Sequence, residues 1–423
     1  MQLLAFSLNH KRAPLALRET VAFSPERALM ALPHLRRLVP QLAESAIVST
    51  CNRTEIYGAV EEDEAAAAAL TAWLAAGNAP LHDDLRAHAQ VLCGAEAARH
   101  VFRVASGLES MVLGEPQILG QMKSALRHAD GAGTLGPLLH QLFQRAFAVA
   151  KEVRTRTQIG RGAVSHAAVA VELARGLFGD LRACRVLFIG AGAMIESVVP
   201  HFAAEQPAEI TVANRTPARG ERITRRWHGQ TRSLAELPDS LHRFDIVVSC
   251  TGSPQPLVSA EMVRRSRPAR GGAPWLMIDL GVPRDLEPEI ATIAGVSLYT
   301  IDDLGKLVKS RASGRADAVA HAERIIETHV KVFMEWNALR PCVPLLRRLN
   351  DQAERLRAAE LQRARRMIAQ GHPVEEALSA LAAAIANKLL HPPRALLHGS
   401  TAPDQAQRIV DQWIGTLEQG VRL

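Results

Sequence analysis

Residues 185–192, Arg-Val-Leu-Phe-Ile-Gly-Ala-Gly, are a short apolar run that ends in a tight glycine turn. The run predicts a buried β-strand, and residues 193–204 after it have the pattern of a helix. A turn in this position faces the N-terminal N–H groups of the helix, where the phosphates of a dinucleotide bind. Ile195 stands where the usual fingerprint has a third glycine. The stretch therefore predicts a nucleotide-binding α/β unit with a variant fingerprint.

The end of the next predicted strand, residues 209–213, bears on the choice of dinucleotide. An NAD site places an acid here to accept a hydrogen bond from the ribose 2′-hydroxyl. This chain has Asn214, Arg215 and Thr216 instead, a cation and two hydrogen-bonding side chains that suit a 2′-phosphate. The sequence favours NADP over NAD, with a purely solvated Arg215 as the alternative.

Two more apolar runs, residues 245–250 and 275–280, continue this pattern. Helical spacers separate the runs, and each is apolar enough to be buried on both faces, which is typical of a doubly wound parallel sheet. We assign residues 161–302 to this Rossmann-type, NADP-binding domain.

The N-terminal segment has a different order of elements. Apolar runs at residues 3–8, 45–49, 55–60 and 89–93 predict four strands, and helical patterns cover residues 15–38 and 62–76. The order βαββαβ is that of a split βαβ unit. Helical sequence continues from residue 95, with breaks at Gly107 and at residues 114–116, and again over residues 135–156. Residues 1–160 therefore form a further α/β domain.

The C-terminal region, residues 303–423, reads as helix almost throughout. An apolar stripe at helical spacing predicts one long amphipathic helix, which Pro341 and Pro344 should break. The stripe consists of Val319, Ile325, Ile326, Val330 and Phe333. Further helices are expected over residues 346–369, 374–390 and 403–420. A helical region outside two complete domains favours dimerisation over chemistry.

Composition excludes several classes of protein. The chain has 423 residues, 48% of them hydrophobic and 22% charged, so it is a multi-domain globular protein and not a disordered one. Its net charge of +7 is too small to establish nucleic-acid binding. The five cysteines form no Cys-x-x-Cys pair, which disfavours a disulfide framework and a zinc site. Without a signal peptide or a membrane-spanning run, we expect a cytoplasmic location.

Cys51 is the first candidate for chemistry. It follows a predicted buried strand, yet its neighbours Thr50, Asn52 and Arg53 are polar, as in a residue presented to a cleft. A nearby Arg53 cation would favour the thiolate. From these residues alone, an inert loop cysteine and a nucleophile are equally consistent.

A second candidate region runs from His100 to Gln121. The polar residues Ser110, Glu115, Gln117 and Gln121 lie beside the Gly-Glu-Pro break and predict a shaped loop that lines a pocket. His100 is an acid or base candidate, although a single histidine on a helix is more often structural.

Together these motifs closely resemble the glutamyl-tRNA reductase family. The resemblance spans the chain in order and rests on seven motifs: residues 49–57 (Ser-Thr-Cys-Asn-Arg-Thr-Glu-Ile-Tyr), 100–121, 190–192, 214–216, 279–284 (Asp-Leu-Gly-Val-Pro-Arg), 333–336 (Phe-Met-Glu-Trp) and 387–391 (Asn-Lys-Leu-Leu-His). It implies a catalytic domain, an NADPH-binding domain, and a long spinal helix that leads to a dimerisation domain in a V-shaped homodimer. The implied reaction reduces glutamyl-tRNA to glutamate-1-semialdehyde, the first step of tetrapyrrole biosynthesis, with an aminomutase as a further possible partner.

The resemblance also assigns roles to individual residues. Cys51 would be the nucleophile that forms a thioester, and His100 the histidine important for activity. The glutamyl pocket would be lined by Thr50, Asn52, Arg53, Ser110, Glu115, Pro116, Gln117 and Gln121. The cofactor would be held by Gly190, Ala191, Gly192, Ala193, Met194, Ile195, Asn214, Arg215 and Thr216. Arg53 is the favoured ligand of the substrate carboxylate.

Two other functions share part of the pattern. A shikimate-type dehydrogenase has the same Gly-x-Gly and Asn-Arg-Thr elements but needs no cysteine. A non-catalytic scaffold that binds NADP or RNA would leave Cys51 inert.

Overall fold

The computed structural model describes residues 1–76, 78–115, 117–157, 159, 165–310, 316–399 and 407–414. The chain forms two compact units, Met1–Asn337 and Ala338–Leu423. Both predicted α/β domains lie in the first unit.

The N-terminal part of the first unit alternates strands and helices in the predicted order. Its elements are β1 (Gln2–Asn9), α1 (Leu15–Thr20), α2 (Pro25–Leu38), β2 (Leu42–Thr50), β3 (Arg53–Val60), α3 (Asp63–Ala75), α4 (Ala79–His88), β4 (Gln90–Cys93), α5 (Gly94–Ala105), α6 (Gln117–Gly131) and α7 (Pro137–Arg156). The strands form one antiparallel sheet in the order β2-β3-β1-β4. The expected split βαβ arrangement is confirmed.

Two helices differ from the sequence prediction. The single helix expected over residues 15–38 is divided into α1 and α2, because Ser24 accepts a hydrogen bond from Arg27 N and Pro25 starts a new helix. Helix α4 was not expected, and it begins where the side chain of Asn78 accepts from Leu81 N. Each of these helices begins at its own capping residue, and the spacing of apolar residues along the sequence does not reveal such residues.

Aromatic side chains fill the core between this sheet and its helices. Tyr57, Phe102 and Phe143 are almost completely buried, and Tyr57 meets Phe143 edge-on with 5.9 Å between ring centroids. Because Tyr57 lies on β3 and Phe143 on α7, this contact fixes the strand that follows Cys51 against the helical layer.

The central part of the first unit is a six-stranded parallel sheet with helices on both faces. Its elements are α8 (His166–Phe178), β5 (Arg185–Ile189), α9 (Ala193–Ala203), β6 (Glu209–Asn214), α10 (Pro217–Thr224), β7 (Gln230–Ser233), α11 (Leu237–Ser240), β8 (Ile246–Ser249), α12 (Ala260–Ser266), β9 (Trp275–Asp279) and β10 (Val296–Thr300). The strand order is β10-β9-β8-β5-β6-β7, with every neighbouring pair parallel. The predicted doubly wound sheet is confirmed, and its winding reverses between β5 and β8, the point where such sheets bind ligands.

The two strands that the sequence did not predict are β7 and β10. They are the outer strands of the sheet, and their side chains are only partly buried or exposed. An inner strand is covered by helices on both faces of the sheet and by a neighbouring strand on each side. An edge strand has a neighbouring strand on one side only and is less buried, so it does not need the continuous apolar run by which the inner strands were recognised.

Helices α13 (Ile301–Ser310) and α14 (Ala316–Leu339) follow the sheet. Ile325, Ile326, Val330 and Phe333 of α14 are buried in the core of the N-terminal part, and Val319 packs beside them, which confirms the predicted apolar stripe. The first compact unit accordingly extends to Asn337.

The second unit is helical in its described residues, with α15 (Val343–Ala369), α16 (Val374–Gly399) and a further helical segment at residues 407–414. At the prolines the helix is interrupted only by a short 3₁₀ turn, Arg340–Cys342. Pro341 and Pro344 lie in the first turn of the element that each begins, where a backbone N–H has no partner within the helix, so the lack of an N–H in proline costs no hydrogen bond. Most of the helix predicted over residues 403–420 lies outside the described residues. Within the described chain, every helix is too short or too polar to span a membrane.

Candidate active site

Cys51 lies at the tip of the hairpin between β2 and β3. Thr50 pairs with Arg53 in the antiparallel register, so Cys51 and Asn52 form a two-residue turn. The backbone N–H of Asn52 donates to Thr50 Oγ1 (3.1 Å), and the carbonyl oxygen of Asn52 accepts from His10 N (2.9 Å). Both hydrogen bonds are made by the backbone of Asn52, and they fix the conformation of the turn that carries Cys51.

The hairpin tip reaches the nucleotide-binding sheet. Cys51 packs at the edge of the apolar cluster of the central domain, as do Ala191, Met194 and Cys250. These three residues follow β5 or β8, the two strands at the switch point. Cys250 connects two motifs that are separate in the sequence, because its thiol interacts electrostatically with Cys51 and its carbonyl group lies directly beside Gly190.

The electrostatic setting of Cys51 disfavours its thiolate in this state. Burial raises the pKa of the Cys51 thiol to about 12, and the carboxylate of Glu115 acts in the same direction. Arg18 and Arg53 act in the opposite direction but do not offset burial. Arg53 does favour the thiolate, as expected, but burial has the larger effect on the pKa of Cys51, and the sequence could not show how much water the fold excludes.

A buried chain of polar groups runs behind the hairpin. Arg53 Nη1 donates to Glu55 Oε1 at 2.9 Å, and His100 Nε2 lies 2.9 Å from Glu55 Oε2. Although burial alone would raise the pKa of Glu55, His100 and Arg53 hold it below the usual range. An ionised carboxylate only accepts hydrogen bonds, so Nε2 of His100 carries the proton that points at Glu55.

Arg53 has little freedom to bind anything else. Its side chain is 2% exposed, and its second terminal nitrogen donates to the carbonyl oxygen of Glu109. A substrate carboxylate could reach this guanidinium only by displacing those partners. The structure therefore places Arg53 as a support between the hairpin and the loop after α5.

The predicted pocket loop connects α5 to α6. Gly107 and Gly114 approach so closely that a Cβ at Gly107 would lie 3.0 Å from Gly114 Cα, and Gly107 has φ +76°. Ser110 and Glu115 in this loop and Gln117 at the start of α6 are half-buried, whereas Gln121 is exposed. Pro116 lies outside the described residues. Burial raises the pKa of Glu115.

Two charged residues near this loop were missed by sequence reasoning. Arg154 of α7 donates from Nη2 to the carbonyl oxygen of Glu115 at 3.3 Å. Glu109 accepts from Lys11 Nζ (2.5 Å) and from Arg103 Nε (2.7 Å), and these contacts lower its pKa to about 2 despite burial, which opposes them. Glu109 lies within the motif of residues 100–121 but was not singled out there, and only the folded chain brings Lys11 and Arg154 to this loop.

The glycine turn has the geometry that a dinucleotide requires. Gly190 has φ +108°, and a Cβ there would overlap the carbonyl oxygen of Cys250. Gly192 is the N-cap of α9, and a Cβ there would meet open space, which leaves the helix N-terminus accessible to a phosphate. Ile195 is fully buried in the sheet–helix core, so this larger residue fills the space that the third glycine usually leaves.

The residues after β6 are exposed, as a binding site for an anion must be. Asn214 donates from Nδ2 to the carbonyl oxygen of Thr216 at 2.8 Å, which shapes the turn. Arg215 and Thr216 are exposed. The sequence-predicted cofactor residues therefore fit a dinucleotide, with its phosphates at the glycine turn.

Two buried acids lie at the carboxyl end of β9 and in the loop that follows it. Asp279 and Asp285 are 1% and 0% exposed. Burial and the charge of Asp285 raise the pKa of Asp279 to about 7. Asp285 accepts hydrogen bonds from Ser249 Oγ and Thr251 N, both at 2.7 Å, so this pair fastens the loops after β8 and β9 to each other.

Three family models match the chain in succession. Residues 6–157 match the N-terminal domain of glutamyl-tRNAGlu reductase, residues 172–307 match shikimate / quinate 5-dehydrogenase, and residues 321–419 match the dimerisation domain of glutamyl-tRNAGlu reductase. A solved structure, the glutamyl-tRNA reductase from Methanopyrus kandleri, is 30% identical, with 96% of this chain and 98% of that chain covered and a TM-score of 0.46. This chain belongs to the glutamyl-tRNA reductase family.

Another solved structure matches a smaller share of the chain. The nucleotide-binding domain of the glutamyl-tRNA reductase from Thermoplasma volcanium is 20% identical, with 36% of this chain and 95% of that chain covered and a TM-score of 0.29. The match to the shikimate / quinate dehydrogenase model likewise stops at residue 307. The shikimate-type alternative therefore accounts for the central domain and leaves both reductase domains unexplained.

Family membership fixes the general activity. The complete set of domains makes the chain an oxidoreductase with glutamyl-tRNA reductase activity, which is the first step of tetrapyrrole biosynthesis. Its central domain is of the NAD(P)-binding Rossmann type, and its dimerisation domain implies a homodimer.

Proposed function

We propose that the chain reduces glutamyl-tRNA with NADPH through a thioester on Cys51. One observation carries this proposal: Cys51 lies at a hairpin tip that packs against the apolar cluster of the central domain and interacts electrostatically with Cys250, which directly follows β8. A cysteine in that position can hold an acyl group next to the nucleotide-binding edge of the sheet. A cysteine that served only packing would not need to be at a fastened turn between two domains.

The chemistry gives a reason for a thioester. An oxygen ester is a poor hydride acceptor because its alkoxy oxygen donates into the carbonyl, whereas sulfur does so less. The Cys51 sulfur attacks the glutamyl carbonyl carbon, a C–S bond forms, and the C–O bond to the tRNA 3′ end breaks, so that the free tRNA takes up a proton. NADPH supplies the hydride that converts the thioester to a thiohemiacetal. Breakage of the C–S bond then releases glutamate-1-semialdehyde and the Cys51 thiolate.

Substrate binding would activate the cysteine. In the ligand-free protein, the Glu115 carboxylate adds to the effect of burial and keeps the pKa of Cys51 high. The α-ammonium group of a glutamyl substrate beside Glu115 would neutralise that charge and favour the thiolate. Activation would then occur only when the substrate is bound.

His100 and its partners would hold the site in shape. The 2.9 Å contact with Glu55 fixes the orientation of the His100 ring, so that Nδ1 would be the nitrogen that accepts a proton and, once protonated, donates to the carbonyl oxygen. Arg53 remains our candidate for the substrate carboxylate only if binding releases it from Glu55. The remaining pocket residues of this proposal are Thr50, Asn52, Ser110, Pro116, Gln117 and Gln121.

The finer assignments belong to the same proposal. Exposed Arg215, with Asn214 and Thr216, would select NADPH over NADH through the 2′-phosphate. The domains would be residues 1–160, 161–302 and 303–423. A cytoplasmic location and hand-over of the reactive aldehyde to glutamate-1-semialdehyde aminomutase complete the proposal.

Acylation of Cys51 is the direct test. The full-length protein is incubated with tRNA charged with labelled glutamate, without NADPH, and label on the denatured protein is measured and located by peptide mass spectrometry. Wild type and the matched control Cys93→Ser should carry the label on Cys51, and Cys51→Ser should carry none and should not reduce the substrate. Equal labelling or retained reduction in Cys51→Ser would exclude the thioester.

A further inference from the structure

Two neighbouring residues of α1 bind the nucleotide-binding part of the unit. Arg18 is 2% exposed, and its Nη2 donates to both carboxylate oxygens of Asp302 at 2.6 Å. Its Nη1 donates to the carbonyl oxygen of Cys51 at 2.7 Å. One buried guanidinium therefore connects the candidate nucleophile to the start of α13.

The adjacent residue makes a second connection. Glu19 accepts three hydrogen bonds from Arg284: from its backbone N (2.8 Å), from Nε (2.7 Å) and from Nη2 (2.8 Å). Arg284 follows β9, in the loop that Asp279 and Asp285 hold in place. Helix α1 has only six residues, fewer than two turns, and these two ion pairs join its adjacent residues Arg18 and Glu19 to two separate segments of the central domain.

A close backbone approach accompanies the ion pairs. A Cβ at Gly305 of α13 would lie 2.6 Å from the sulfur of Met111, which belongs to the pocket loop. The absence of a side chain at this position lets α13 approach the loop directly. An apolar contact and two ion pairs thus join the N-terminal part of the unit to the nucleotide-binding part.

We propose that Arg18, Glu19, Arg284 and Asp302 form an interdomain latch, in which Arg18 is the positioning residue that couples the Cys51 turn to the nucleotide-binding domain. The inference deepens the proposed function and rests on it. Acylation needs Cys51 and the tRNA 3′ end, but hydride transfer also needs the central domain beside the thioester. The latch therefore acts mainly on the second half-reaction.

The strength of the latch follows from its geometry. Arg284 makes a bidentate contact with Glu19 through Nε and Nη2, whereas Arg18 donates to both oxygens of Asp302 from the single nitrogen Nη2, and both contacts are charge-assisted hydrogen bonds. Arg18 is removed from water, and Arg284 and Glu19 are mostly so. The central domain would remain joined in the absence of tRNA and would have to separate from α1 if the acceptor end enters from this side.

The two half-reactions can be measured separately in the full-length protein. We compare Asp302→Asn and Glu19→Gln with Glu205→Gln, a control that removes a bidentate ion pair with Arg175 inside the central domain, with both hydrogen bonds at 2.8 Å. Labelled glutamyl-tRNA without NADPH gives the rate of Cys51 acylation, and single-turnover NADPH oxidation gives the rate of reduction. Each latch variant should acylate at least as fast as wild type and reduce about tenfold more slowly, the effect of losing one charge-assisted hydrogen-bonded pair. Glu205→Gln should match wild type in both.

Charge reversal separates the ion pair from a general loss of structure. Glu19→Arg alone should reduce the substrate slowly, and combining it with Arg284→Glu should recover at least part of the lost rate. Equal slowing of acylation and reduction in the latch variants, or no slowing of reduction, would overturn the proposal.

A chemical readout makes the test independent of catalysis. Alkylation of Cys51 by iodoacetamide, followed by peptide mass spectrometry, should be several-fold faster in Asp302→Asn and Glu19→Gln than in wild type, because loosening the domains uncovers the sulfur. If wild type fails to acylate, the thioester proposal fails while faster alkylation still supports the latch. Unchanged alkylation in both variants would refute the latch even in an active enzyme.

Discussion

Replacing Glu115 by glutamine should make Cys51 of the free protein more reactive. Burial raises the pKa of Cys51 to about 12, and Glu115 is the next contribution in the same direction. Glutamine has almost the same shape and removes the charge, so burial alone remains to disfavour the thiolate. The substitution therefore imitates the neutralisation that we expect from a bound α-ammonium group.

The size of the effect follows from the ionised fraction. At pH 8, a thiol with a pKa of about 12 is about one part in 10⁴ thiolate, against about one part in ten at the ordinary value of 9.0. A thiolate of higher pKa is intrinsically more nucleophilic, which recovers part of the difference. Cys51 in the intact protein should thus react roughly a hundredfold more slowly than in the unfolded chain, and Glu115→Gln should raise the rate about three- to tenfold.

Alkylation with iodoacetamide from pH 7 to pH 10, followed by peptide mass spectrometry, measures each cysteine separately. Cys342 is exposed and serves as the internal standard in every sample. Glu96→Gln removes an exposed carboxylate on α5 and is the control for a change in overall charge. Alkylation of Cys51 as fast as that of Cys342 in the intact protein, or an unchanged rate in Glu115→Gln, would refute the electrostatic reasoning.

Four further outcomes are expected. Arg215→Ala should raise the Kd for NADPH by at least about tenfold and leave that for NADH nearly unchanged, as measured by fluorescence titration; equal losses for the two would exclude a 2′-phosphate contact. Gly190→Ala should abolish dinucleotide binding and lower the thermal midpoint, because the new Cβ overlaps the carbonyl oxygen of Cys250 at φ +108°; tight binding by a folded variant would contradict this. The raised pKa of Asp279, about 7 against an ordinary 3.8, means that its contribution to stability is complete below about pH 4 and is lost as the pH rises through 7. Between pH 5 and pH 8 the thermal midpoint of Asp279→Asn should therefore fall less than that of wild type, and parallel profiles would show that Asp279 is ionised throughout. A chain that ends after Asn337 should sediment as a folded monomer, whereas a persistent dimer would place the interface in the first unit.

The inner elements of both domains were predictable because each has a strong local signal. The runs that became β5, β6, β8 and β9 are apolar on both faces, and the Gly-Ala-Gly turn follows the first of them. The elements that escaped prediction, β7, β10 and α4, lie at an edge or depend on a single capping residue. Their positions are set by neighbours distant in sequence, which no local period encodes.

The residues of the candidate site likewise include some that the sequence revealed and some that it did not. Cys51, the glycine turn and Arg215 were recognisable because the chemistry of each depends on residue type next to a strand end. Glu55, Glu109 and Arg154 were not, since their roles arise from contacts with His100, Lys11 and Glu115, which lie 39 to 98 positions away in the chain. Arg53 shows the limit of reading charge from sequence: its positive charge was evident, but its burial between Glu55 and Glu109 was not.

The amino-acid sequence alone predicted every strand except β7 and β10, the glycine turn after β5 and Cys51 as a candidate nucleophile, because these features depend on residue type and short-range order. Only the tertiary structure decided that Arg18 and Glu19 of α1 meet Asp302 and Arg284, and that the pKa of Cys51 is raised. Ion pairs between residues more than 250 positions apart, and the exclusion of water from a thiol, exist only after the chain has brought those groups together.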